Sequence, residues 1–478
     1  MLRLQLICIS FISFILFSCH SGTKNPTGEN NSQTKDTVAP AVKENFPKGE
    51  IIEKVACKSD ASQSYAMYLP KNYSLDKTYP VVFAFDAHGT GKLPVSMYKE
   101  LAEQYGYILI GSNNSKNGTA WEVSTNIAET LLSDAQNRLS INAQRIYLMG
   151  FSGGARVANG VAISNGAVSG VICIGAAAPA GNAANNRSNY TWLGIAGDED
   201  FNSTEMRKYD LIDLAGHNIK HALITFDGKH EWCKQEVMDE AFWWLELCEM
   251  RKNIKTKNDL LVKQKIAPVI KQIETCMQKK QSYDAYLLVK KTINFYDGLT
   301  DLTYCFDTYK TLQKNSDVDK AMKEEQLMWS KEDELKNYYM KGFESGDLEK
   351  WKKEIVKLND KIKTGRNKLD VNMNKRVLGY LSLVAYMQSS GALKQNQIPA
   401  ADYFCKIYVL VDPTNNEAHY LTADVNAKEG NQKEALSSLN KALANGFNDL
   451  PRLQSDSAFI GMQNTPEFLE LVKKIGQK

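Results

Sequence analysis

Between residues 50 and 251 short apolar runs alternate with amphipathic stretches; beyond 251 the short runs stop and only helical periodicity remains. Two strand patterns occupy 51–70, the second alternating through Tyr65-Ala66-Met67-Tyr68-Leu69-Pro70, as an antiparallel edge pair does. The runs at 79–85, 108–111, 146–149, 171–175, 192–196 and 223–226 are almost wholly apolar, as strands covered on both faces are. Helical patterns fall between them at 97–105, 125–139, 155–163, 204–215 and 235–249. Strands alternating with helices predict an α/β domain with a doubly wound, mostly parallel sheet.

The second half predicts an all-α region, with long helices over 260–280, 282–295, 317–344, 348–364 and 372–389. Near its end the spacing sharpens. Ala401 and Pro413 stand twelve apart, Asp412-Pro413-Thr414-Asn415 marks a turn, and Ala423, Gly430, Ala435, Leu439 and Ala442 follow where a helical repeat needs small or packing residues. This resembles one tetratricopeptide repeat, with Phe447 replacing the closing proline and a capping helix running to Ile475. A repeat needs neighbours to bury its apolar face, so the preceding helices are expected to complete the stack. An unrelated helical hairpin is the other reading.

The chain of 478 residues is long enough for two or three domains, and 58 Lys+Arg against 55 Asp+Glu gives no reason to expect nucleic acid as a partner. Its N-terminus reads as a targeting segment, with Arg3 before an apolar run over 4–17 that is short for a membrane span. Leu16-Phe17-Ser18-Cys19 resembles a bacterial lipobox, which implies lipidation of Cys19 and a place in the cell envelope, on the periplasmic or outer-membrane face. A plain secretory signal and an uncleaved anchor are the alternatives. The polar stretch that follows has almost no apolar periodicity and reads as a flexible tether. The expected organisation is a signal over 1–19, tether over 20–47, α/β domain over 48–251, helical domain over 252–390 and repeats over 391–478. The remaining cysteines are odd in number and lack metal-ligand spacing, so no metal site is expected; a Cys57–Cys233 pair is open, with buried thiols the preferred reading.

The chemistry centres on Gly150-Phe151-Ser152-Gly153-Gly154, which joins an apolar strand to a helix-compatible segment. Gly-x-Ser-x-Gly at such a junction is a nucleophile elbow: the serine occupies a sharp turn, and the glycines let strand and helix approach each other. Three other strand ends carry reactive side chains, Asp86-Ala87-His88-Gly89-Thr90, Gly197-Asp198-Glu199-Asp200 and Asp227-Gly228-Lys229-His230. The order serine, acid, histidine is that of one known triad arrangement.

With these motifs, residues 48–251 resemble the α/β-hydrolase fold, in particular secreted esterases of the feruloyl-esterase and polyhydroxybutyrate-depolymerase type. The resemblance implies Ser152 as nucleophile, Asp200 as orienting acid and His230 as general base, with oxyanion donors from Gly153 and from Gly89 or Thr90. Asp198, Glu199 and Asp227 compete for the acid role. His88 is read as shaping its loop by hydrogen bonding. The polar loop 111–118 has two open readings, a solvated loop or a lining of the substrate crevice in which Trp121 offers a platform for a ring-bearing substrate. The implied activity is hydrolysis of a small-molecule or polysaccharide-linked ester through an acyl-enzyme, without metal or cofactor. The helical repeats are expected to recognise a protein partner. A serine peptidase, and a lapsed hydrolase acting as a binding or scaffolding lipoprotein, are the competing readings.

Overall fold

The computed structural model describes residues 43–181 and 190–476. The expected signal segment, Cys19 and most of the expected tether lie outside them. Among the described residues no helix is long and apolar enough to cross a membrane.

Eight strands form a single sheet in the order β1-β2-β4-β3-β5-β6-β7-β8. They are β1 (Ile51–Ala56), β2 (Ser64–Tyr68), β3 (Tyr79–Phe85), β4 (Ile108–Ser112), β5 (Ile141–Phe151), β6 (Gly170–Ile174), β7 (Thr191–Gly197) and β8 (His221–Phe226). β2 runs antiparallel to β1, as expected for the pair, but it also runs antiparallel to β4 and so lies inside the sheet with every residue buried, leaving β1 at the edge. β3 is parallel to β4 and β5, and β5 to β6. Trp192 N–H donates to Lys220 O and, further along both strands, Asp198 N–H donates to Phe226 O, so β7 and β8 also advance together. Every residue of β3, β4, β6 and β7 is buried. That explains their unbroken apolar sequences, since each fully buried Val, Ile or Phe contributes about 1.5–3 kcal/mol of transfer free energy.

The helices beside the strands are α1 (Lys92–Tyr105), α2 (Trp121–Arg138), α3 (Gly153–Ser164), α4 (Ser203–Lys208) and α5 (Gln235–Arg251). The helix expected over 204–215 is shorter, passing from α4 into a π-helical turn at Tyr209–Asp213. After α5 come α6 (Asp259–Gln278), α7 (Ser282–Tyr296), α8 (Thr303–Leu312), α9 (Ser316–Gly342), α10 (Leu348–Thr364) and α11 (Lys368–Lys394). The series ends with α12 (Ile398–Val411), α13 (Asn416–Lys428), α14 (Gln432–Ala444), α15 (Leu450–Ser455) and α16 (Pro466–Gly476). Asn258, Asn315, Asp347, Asn367, Asn415 and Asp449 each precede one of these helices and accept a backbone N–H of its first turn. Such caps are worth typically ~1 kcal/mol each.

Contact density groups the described residues into two compact units. One comprises 43–193 and Asp213–His221, and carries β1 to β6 with α1 to α3. The other comprises Gly194–Ile212 and 222–476. Within the second, Phe343, Trp351, Phe404, Tyr420 and Phe459 belong to one continuous apolar core. Ala423, Ala435, Leu439 and Ala442 are buried in that core, and Gly430 turns the chain between α13 and α14 at φ +82°. The seven described cysteines are free, Cys57 and Cys233 included; burial pushes the Cys57 and Cys248 thiols up to about 11.

Candidate active site

Ser152 stands between the last residue of β5 and the first of α3, with φ +54° and ψ −120°. A β-substituted residue held at positive φ is strained by about 1–3 kcal/mol, and the surrounding turn over-determines it. Its N–H donates to Ile174 O at 2.8 Å and its carbonyl accepts from Ala155 N–H at 3.0 Å. The flanking glycines are required by space. A Cβ at Gly150 would lie 2.2 Å from Gly154 O, and one at Gly154 would lie 2.0 Å from Phe85 O. Gly153 is the first residue of α3, so its N–H has no carbonyl one turn back within the helix.

In the same unit, the turn after β3 is organised by the buried carboxylate of Asp86. Its Oδ2 accepts from His88 N–H at 2.8 Å and Thr90 N–H at 3.4 Å, while its carbonyl accepts from Gly89 N–H at 3.2 Å. Gly89 sits at φ +73°, and of the two candidate oxyanion donors Thr90 N–H is the one held at the longer distance. The His88 ring is 80% exposed. It is His88's backbone N–H that serves the loop, and the Asp86 carboxylate favours the protonated ring.

The polar loop after β4 divides. Asn113 and Asn114 are tied to the β1–β2 edge through Glu53 O, Ser64 and Ser62 O. Farther on, Lys116 bridges to His88, Asn117 N–H donates to Ala87 O at 2.8 Å, and the exposed Asn117 amide lies against Gly153 so closely that a Cβ there would sit 1.7 Å from its Oδ1. Asn117 therefore borders the elbow; reading the loop as one undifferentiated segment could not single it out. Trp121, the first residue of α2, packs its ring over Gly160 of α3.

The second unit holds the acid and the base. His230 Nδ1 lies 2.9 Å from Asp200 Oδ1; Asp200 is buried and the His230 side chain is 18% exposed. The loops after β7 and β8 are joined by their backbones, with Glu199 N–H donating to Gly228 O at 3.0 Å. Gly197 makes this approach possible, since a Cβ there would lie 2.4 Å from Gly228 O and 2.5 Å from Lys229 O. Two of the competing acids face other partners, Asp198 lying 3.5 Å from Arg207 and Glu199 pairing with Lys375, and Asp227 is exposed. Phe201 packs against the imidazole with ring centroids 4.1 Å apart and the planes tilted by 35°. His221 opens β8, and both it and His217 are half-buried.

A mostly parallel sheet, a serine elbow at a strand-to-helix turn and a histidine–aspartate pair on the loops after β7 and β8 decide the class. This is a hydrolase-fold protein. Its α/β part is followed by a long helical region. Among solved structures the chain is similar to a hyperthermophilic esterase from Pyrobaculum calidifontis, at 13% identity over 42% of this chain and 84% of that one, with a TM-score of 0.33. It is similar also to a ferulic acid esterase, at 16% identity over 41% of this chain and 96% of that one, with a TM-score of 0.32. An α/β hydrolase from a Medee basin deep-sea metagenome library gives 18% identity over 41% of this chain and 96% of that one, with a TM-score of 0.34. Likeness at this level is silent on substrate and activity. No protein-family model matches the sequence, and neither does any curated protein.

Proposed function

We propose that this protein is an exported serine hydrolase that cleaves carboxylic esters through an acyl-enzyme. The observation that carries the reading is the strained backbone of Ser152, a cost that an inert serine at a strand-to-helix turn would have no reason to retain. The Asp200–His230 hydrogen bond supports it by committing Nδ1 of the imidazole and leaving Nε2 as the proton acceptor.

In the proposed reaction Ser152 Oγ attacks the ester carbonyl carbon as its proton passes to His230 Nε2, and Asp200 stabilises the imidazolium. Negative charge gathers on the former carbonyl oxygen, where backbone N–H groups of Gly153 and of Thr90 or Gly89 receive it, each worth about 3 kcal/mol. The tetrahedral species expels the alcohol, which takes the proton from His230. Water then repeats the sequence on the acyl-serine, giving up a proton to His230 and releasing the acid. No metal or cofactor enters these steps.

Lipidation at Cys19 would hold the enzyme in the cell envelope, and the helical repeats would serve a protein partner. A panel of short-chain, aryl and sugar esters tests the chemistry. Turnover by the wild type that is lost in Ser152→Ala supports it, whereas equal turnover by both proteins removes Ser152 from the role.

A further inference from the structure

The loop that carries Asp200 is gripped by helices far downstream in sequence. Arg376 of α11 donates from Nη1 to Asp198 O at 2.8 Å, and Lys336 of α9 donates from Nζ to Phe201 O at 2.8 Å. The two carbonyls so held flank Asp200. Lys375 of α11 adds an ion pair to Glu199 at 2.5 Å. These contacts span 178, 135 and 176 residues of sequence, so they belong to the fold of the second unit and not to local turn geometry.

Behind the grip lies the buried carboxylate of Glu332. It receives Arg376 Nε at 2.8 Å and Nη2 at 2.7 Å, Thr204 Oγ1 at 2.9 Å, and Lys336 Nζ at 2.7 Å. Burial alone would raise its pKa, but the Arg376 and Lys336 charges prevail and hold it below the ordinary carboxylate range. A buried ion pair of this kind often adds little stability compared with apolar residues of the same volume. What it supplies is direction: with the Nε–Nη2 edge held by Glu332, the planar guanidinium turns Nη1 towards Asp198 O. The same helix reaches the histidine. A Cβ at Gly379 of α11 would lie 3.5 Å from the Phe201 ring, and that ring packs against His230.

We propose that Arg376, oriented by Glu332, is a positioning residue for the Asp200–His230 pair, and that the helical region thereby forms part of the catalytic apparatus. This rests on the reading of Asp200 and His230 as acid and base. The loop after β7 is a turn, in which Asp200 N–H donates to Gly197 O at 3.1 Å and Asn202 N–H donates to Asp200 Oδ1 at 2.8 Å. Its backbone connections to the loop after β8 fix one side, and the α9–α11 cations fix the other. Without the second set, Asp200 would sample positions from which the histidine tautomer is no longer enforced.

The test uses the full chain. Arg376→Ala alone would leave the buried Glu332 with Lys336 as its one remaining described cationic partner, so the variant of choice is Arg376→Met combined with Glu332→Gln, which removes both charges of the Arg376–Glu332 pair and keeps an acceptor for Thr204 and Lys336. Arg376→Lys is the second variant, retaining the charge without the fork. On a small aryl ester the double variant is expected to melt within a few degrees of wild type, lose at least about tenfold in kcat and change KM little, with Arg376→Lys intermediate. The downfield proton resonance of the His230–Asp200 hydrogen bond should weaken or exchange faster in the same order. A folded double variant with wild-type kcat and an unchanged resonance overturns the proposal while Ser152→Ala remains inactive. If the double variant fails to fold, wild-type kcat and an unchanged resonance in Arg376→Lys overturn it equally. Should the wild type hydrolyse no ester, the enzymatic reading fails by itself, and the resonance still decides whether Arg376 positions the pair.

Discussion

The choice among three clustered acids shows what a residue-level reading can and cannot do. Asp198, Glu199 and Asp200 are equivalent in composition, and only the resemblance of Gly197-to-Asp200 spacing favoured the last. In three dimensions the three diverge, because consecutive side chains on a tight loop point in different directions: Asp198 towards Arg207, Glu199 towards Lys375, Asp200 towards His230. Asp200→Asn is accordingly expected to lower kcat by roughly 10⁴-fold, through loss of the tautomer restraint, and Asp198→Asn to cost far less. Steady-state kinetics on an aryl ester check this, and the reverse ranking would move the role to Asp198. Asn117 belongs to the same scale. Its sequence neighbours are all small or polar, so nothing local distinguishes it, and its place against Gly153 comes from pairing between Lys116 and His88.

At the scale of elements, apolar runs and glycine spacing carried the strand assignments. β3, β4, β6 and β7 were legible because both faces of each are covered, as were the buried second half of β5 and, through its apolar residues, the half-covered β8; the elbow was legible because its glycines answer to a local steric demand. Gly154→Ala should therefore disturb the junction of α3 with β3, at an overpacking cost of about 1–3 kcal/mol. A fall in melting temperature checks it, and an unchanged melt would mean that the Phe85 carbonyl can move aside. Helices were less fully readable: α8 was not anticipated, since its segment mixes aromatic, polar and charged residues without a clean stripe, and α2 begins four residues before its apolar periodicity does. Within α13, burial first, and then the Asp456 charge, push the Asp424 carboxyl up from 3.8 to about 6 despite nearby Lys428 and Arg452. The native state then binds a proton that the unfolded state has released between those values, so Asp424 costs stability as pH rises through that window. Asp424→Asn is expected to stabilise the helical unit by about 2–3 kcal/mol at pH 8, with the gain shrinking towards pH 4. Thermal melts across that range check the sign, and a gain that grows on acidification would contradict it.

For the whole molecule, periodicity separated an α/β part from an all-α part, but it could not show which downstream helices reach back to Gly194–Ile212. Such contacts depend on where charged residues on α9 and α11 arrive after folding, and a Lys- and Glu-rich helix reads in sequence as a solvated face. Every proposed step of the chemistry depends on Ser152 as the nucleophile. Labelling the full chain with a fluorophosphonate and mapping the adduct by peptide mass spectrometry tests it most directly, since the phosphonyl group is captured only by a serine whose proton has an acceptor. A single adduct is expected on Ser152, abolished in Ser152→Ala and strongly slowed in His230→Ala. An unlabelled wild-type protein, or an adduct on another residue with Ser152 unmodified, would contradict that assignment.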